Sequence, residues 1–223
     1  LSFYLDGAHT PESSATCANW FAEAVGSSSS SAAAAAAPPS SPAAPGELRL
    51  LLFNCMHERE PLRLLAPLSQ TLASKGLPLA GAVFVPPDST YAKLGPSEES
   101  ASAVDLSWQQ GLAHLWRENF AVAAAGKEAR GSSSSSGAAA TESAAASAAA
   151  SAAKLLPPLS TAAGAGAANA AAPTGAVAPS VRSALEWLRS ATRASPGLKM
   201  RVLVTGSLYL VGDVLRHLGK NED

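Results

Sequence analysis

A carboxylate and an imidazole stand three positions apart in Leu5-Asp6-Gly7-Ala8-His9-Thr10, directly after the apolar residues Leu1, Phe3, Tyr4 and Leu5. At a strand tip, the Asp6 carboxylate can accept hydrogen bonds from a ribose, and His9, beside a helix amino terminus, can meet an anion or a reacting carboxylate. The same pair also suits a simpler arrangement, in which Asp6 stabilises its own turn and His9 is an exposed loop residue. A second set, Thr205-Gly206-Ser207, follows the apolar Val202-Leu203-Val204. Gly206 lets backbone or ligand come close, and Ser207 offers a hydroxyl and an amide to a carboxylate. Ser207 is equally suited to capping the helix behind it. A third set, Asn54, His57, Glu58 and Arg59, mixes charges after another apolar run. It fits a loop lining a cleft, with Asn54 and Arg59 toward a ligand, as well as it fits a solvated surface.

Other chemistries find little support. His57 has only Cys55 near it at ligand spacing, so a metal centre is not expected. Arg182, Arg189 and Arg193 fall on the helix side away from Leu185, as a solvated face or as an anion-attracting rim. Neither a Gly-x-Ser-x-Gly elbow nor a Gly-x-x-x-x-Gly-Lys-Ser/Thr loop occurs. Gly164 and Gly166 follow no strand and do not make a dinucleotide fingerprint.

The elements that must position these residues can be read from periodicity. Thr10 caps, Pro11 fits a first helical position and Glu12 suits the positive end of the dipole. Cys17, Trp20, Phe21, Ala24 and Val25 then form one apolar helix face. Leu48 and residues 50–53 read as a strand buried on both faces. Pro61 opens a helix with Leu62, Leu64, Leu65, Leu68 and Leu72 inward, kinked or restarted at Pro67. Residues 82–85 form a third strand, residues 88–105 a polar loop, and residues 106–122 a helix carrying Trp108, Leu112, Leu115, Trp116 and Phe120. A helix over 181–192, a fourth strand over 202–204 and a helix over 208–218 complete the pattern. Alternating strands and helices predict an α/β, Rossmann-like fold with a mostly parallel sheet, whose carboxyl edge would carry all three polar sets.

Of the 223 residues 47% are hydrophobic, but much of that share is alanine in runs. Residues 27–46, which hold no large apolar side chain and are broken by prolines, and residues 126–180, too long for an ordinary connection within a compact domain, are low-complexity insertions expected to be disordered. What remains suffices for one domain with a real core. A net charge of −1 offers no broad footprint for nucleic acid. No apolar run reaches the roughly 18 to 20 residues that span a bilayer, so no membrane insertion is expected. Cys17 and Cys55, unpaired by spacing, read as reduced thiols of an intracellular protein. Beginning at Leu1 inside a strand, the chain is expected to be the carboxyl-terminal part of something longer, and its compartment within the cell is not legible.

Tyr4-Leu5-Asp6-Gly7-Ala8-His9-Thr10 with Trp20-Phe21, Leu51-Leu52-Phe53-Asn54, and residues 202–212 (VLVTGSLYLVG) resemble, in order, the carboxyl-terminal domain of eukaryotic folylpolyglutamate synthase, of the Mur-ligase superfamily. Ala82-Val83-Phe84 and residues 183–188 match more weakly. The resemblance implies a single Rossmann-like domain over 1–223 that closes on an upstream P-loop ATPase domain. It implies ATP- and Mg²⁺-dependent addition of L-glutamate to the γ-carboxyl of tetrahydrofolate or its polyglutamates, through an acyl phosphate. Asp6 would contact the ATP ribose, and His9 and Ser207 would place glutamate. Since the P-loop, magnesium ligands and folate pocket belong upstream, this chain alone would not catalyse. A dihydrofolate synthase, another Mur-type ligase, or a non-catalytic nucleotide- or partner-binding fragment are the alternatives.

Overall fold

The computed structural model describes residues 1–30, 47–91, 104–120 and 175–219. Five strands form one sheet: β1 (Ser2–Leu5), β2 (Glu47–Phe53), β3 (Gly81–Phe84), β4 (Ala176–Val177) and β5 (Lys199–Thr205). Their spatial order is β1-β5-β2-β3-β4, and every pairing is parallel. The last strand in the chain thus lies between the first two. The helices are α1 (Pro11–Ser30), α2 (Pro61–Ser74), α3 (Asp88–Tyr91), α4 (Ser107–Asn119), α5 (Val181–Ala194) and α6 (Leu208–Gly219).

Strand alternation sorts the core into two layers. Leu51, Phe53, Ala82, Phe84 and Leu203 face α1, α2 and α4, while Leu50, Leu52, Val83, Val202 and Val204 face α5 and α6. Both sheet faces are covered, which is why the central strands are near-continuous apolar runs. The chain crosses the sheet one way with its helices on one face and returns through α5 on the other. All crossovers therefore share one hand. The fold is the expected α/β, Rossmann-like arrangement.

Several elements differ from the sequence reading. The composition boundary at residue 180 is too late: β4 pairs with β3 through Val83–Ala176 and Phe84–Val177, and Ser180 caps α5 in a reciprocal box with Ser183. Residues 27–30 close α1, whereas 31–46 and 126–174 lie outside the described residues. Residues 88–91 form α3 rather than loop, because the fully buried Asp213 of α6 accepts from the Ser89 amide at 3.0 Å and from its hydroxyl, and also pairs with Arg216 at 3.0 Å. His217 adds a 2.7 Å contact to Asp88. α2 runs unbroken through Pro67, held by its buried Leu64, Leu65, Leu68 and Leu72. Trp20 sits at the margin of its helix face, 41% exposed and edge-on to Tyr4. Arg182 is exposed and paired with Glu186, the solvated arrangement of that face.

Candidate functional site

The carboxyl ends of β1, β2, β3 and β5 meet at one sheet edge, the place where parallel sheets bind ligands. At β1 the turn is self-closed. Asp6 Oδ1 accepts from the Ala8 amide at 2.8 Å, and Thr10 caps α1 by accepting from Ser13 N at 3.2 Å. The Cys17 thiol lies near the Asp6 carboxylate, and burial, with that charge added, pushes the thiol up to about 12. Asp6 lines none of the cavities described below, so the turn-stabilising role is the one its hydrogen bond displays.

His9 is exposed, and its Nδ1 lies 2.9 Å from the Gly7 carbonyl oxygen. A carbonyl only accepts, so Nδ1 must carry the hydrogen and Nε2 is the ring atom left to face a ligand. As a neutral ring it accepts there; protonated, it donates.

β5 ends at Thr205, and the amide of the next residue, Gly206, donates to the Ala8 carbonyl at 3.0 Å, stitching the two strand tips together. Gly206 has φ +96°, and a Cβ there would lie 2.4 Å from the Asn54 carbonyl oxygen and 2.5 Å from the Phe53 ring. The position requires glycine on both counts. Ser207, 5% exposed, accepts from the Tyr209 amide at 3.2 Å at the start of α6. The cap occupies a lone pair and leaves the O–H hydrogen for a ligand.

His9, Arg59, Gly206 and Ser207 line one cavity of about 180 Å³, with Met56, Leu208 and Tyr209 as its apolar side. His9 and Arg59 also border a more open one of about 510 Å³ with Glu58, Glu60 and Arg63. Asn54 lines a third, of about 360 Å³, which shares Ser207, Met56 and Tyr209 with the first. The fold therefore brings His9, Ser207 and Arg59 together and sets Asn54 next door. An imidazole, a guanidinium and a hydroxyl on one small concave surface suit a small anion with a polar tail, such as an amino acid.

The sequence reading missed Gln109, a buried polar residue of α4 whose Nε2 donates to Asn54 Oδ1 at 3.1 Å. Its position on an amphipathic helix reads as surface, and only the packing of α4 over β3 reveals it. Among the described residues no three His, Cys, Asp or Glu side chains converge to hold a metal ion. No described helix is long and apolar enough to cross a membrane.

Two folylpolyglutamate synthases of Arabidopsis thaliana are 37% and 34% identical to this chain over 98% and 99% of its length. By sequence the chain is similar along nearly its whole length to folylpolyglutamate synthases. It spans about a third of those relatives, 34% of each. A human mitochondrial folylpolyglutamate synthase matches 29% of the chain, and 9% of its own length, at 37% identity. No family model matches the chain. No solved structure matches it either.

Proposed function

We propose that this chain is the carboxyl-terminal, glutamate-positioning domain of an ATP-dependent ligase that extends the γ-carboxyl of a folate with glutamate. The observation that carries this reading is the meeting of His9, Arg59 and Ser207 on one cavity, in a chain similar along nearly its whole length to folylpolyglutamate synthases. In the proposed reaction ATP, bound with Mg²⁺ mainly by an upstream P-loop ATPase domain, activates the folate carboxyl as an acyl phosphate. The glutamate amine then attacks the acyl carbon, the bond to phosphate breaks, and an amide forms as the amine loses a proton.

The work of this chain is placement and exclusion of water from the activated carboxyl. Arg59 and the Ser207 hydroxyl hold glutamate carboxylate. Nε2 of neutral His9 accepts from the amine, orienting its nitrogen for attack. Asp6 is assigned to the ATP ribose, through lone pairs its bond to Ala8 leaves over. On this reading the 223-residue chain alone shows no glutamate-dependent ADP release.

The test is steady-state kinetics of a full-length ligase carrying this sequence. His9→Ala and Ser207→Ala should each raise the glutamate KM by about tenfold, the value of one hydrogen bond to a charged group, with the ATP KM little changed. An unaltered glutamate KM in both variants rejects the assignment.

A further inference from the structure

The sulfur of this chain sits in Cys17, Cys55, Met56 and Met200. All but one of these side chains are sealed in the core. Cys17 and Met200 are 1% exposed and Cys55 0%, and burial pushes both thiols up to about 12, so neither supplies the thiolate that oxidants attack. Met56 is the opposite case, 49% exposed. A thioether needs no deprotonation to react, so access alone governs it. An oxidant arriving from solvent therefore meets Met56 first.

The position of Met56 gives that reaction a consequence. The Arg59 amide donates to the Met56 carbonyl at 3.0 Å, so one tight turn after β2 puts the thioether and the guanidinium on the same rim. Both line the cavity of about 180 Å³ with His9 and Ser207. No carboxylate is among the described residues of that lining, whereas Arg59 and the Ser207 hydroxyl are donors. As a thioether Met56 is a weak acceptor and serves as apolar wall. As a sulfoxide it carries a polar oxygen on a flexible arm. That oxygen seeks the same donors as a glutamate carboxylate.

We propose that Met56 is an oxidation site that weakens glutamate binding: a peroxide transfers one oxygen to its sulfur, and the sulfoxide oxygen then accepts from Arg59 and Ser207 in place of the substrate carboxylate. The O–O bond of the peroxide breaks and an S–O bond forms. Sulfur is oxidised, the peroxide is reduced to water or an alcohol, and the proton of its hydroxyl passes to the leaving oxygen. Reduction of the sulfoxide restores the thioether. The effect on binding rests on the glutamate reading of the cavity; the selectivity of oxidation does not.

The test treats the native full-length ligase carrying this sequence with limiting hydrogen peroxide, maps the added oxygen by peptide mass spectrometry, and measures the glutamate KM before and after. Within this chain the oxygen should appear at Met56 before Met200, Cys17 or Cys55, and added glutamate should slow its arrival. The glutamate KM should rise about tenfold, the value of one hydrogen bond to a charged group. It should return when the oxidised enzyme meets methionine sulfoxide reductases of both epimer specificities. In Met56→Leu, compared with its own untreated value, peroxide should leave the KM where it was. Oxidation of a buried sulfur as fast as Met56, a Met56 sulfoxide with unchanged KM, or an equal rise in Met56→Leu overturns the proposal. His9→Ala separates the causes of failure. If it raises the glutamate KM while the sulfoxide does not, the oxidation proposal falls and the glutamate site stands; if neither moves the KM, both fall.

Discussion

At Gly206 two demands coincide, a φ of +96° and backbone and ring atoms where a side chain would go. Gly206→Ala cannot be relieved by moving a flexible chain end, since the nearest atom is the Asn54 carbonyl. It should cost about 2 kcal/mol or more, read as a lower urea midpoint. The two thiols make a different prediction. Burial raises Cys17 and Cys55 from the ordinary 9.0 to about 12, for Cys17 with the Asp6 carboxylate adding to it. Near pH 8 both should resist iodoacetamide until the chain unfolds. Between pH 9 and 12 the unfolded chain has lost thiol protons that the native chain keeps. Stability contributed by these groups is thus complete below pH 9 and falls as pH rises. Replacing both by alanine should flatten the fall in urea midpoint across that range.

Among the elements, α3 depends most on a single partner. Its Ser89 amide and hydroxyl both bond to Asp213 at the buried side of α6. Asp213→Ala leaves those donors unmet and should cost about 2–4 kcal/mol, with faster hydrogen exchange at the Ser89 amide than a global loss explains. Nothing local in the sequence announces this clamp, because its halves are far apart in the chain. The same limit governs what else could be read. The interiors of β2, β3 and β5 were legible as apolar runs, since strands covered on both faces must be written that way. β5 begins earlier than its apolar run because Arg201, 8% exposed, is buried by donating to the Tyr4 hydroxyl at 2.6 Å and by lying 3.3 Å from Glu47. β4 was hidden because two small residues inside an alanine-rich tract owe their extension to β3. His9 and Ser207 were visible through motif and resemblance. Gln109 was not, because a glutamine on a helix reveals its burial only once the neighbour is placed.

For the whole molecule, Gly175 re-enters the fold against α4, where a Cβ would lie 2.8 Å from the Ala113 oxygen and 3.3 Å from Arg117. The chain leaves the described structure at Phe120, less than a turn beyond Arg117. Departure and return are thus at one place. Replacing residues 121–174 by a short Gly/Ser linker should leave Tm nearly unchanged, since loop-closure entropy grows slowly with length. The position of β5 has a consequence for the birth of the chain. Among the described residues β1 pairs with β5 alone, and β2 reaches β1 only through it. Until β5 has left the ribosome, β1 lacks the one strand it pairs with among the described residues, and β2 offers a bare edge. The sheet therefore cannot zip up from its amino end as it is made. Its closure is a late, non-local event, which slows folding and leaves strand edges uncovered for longer.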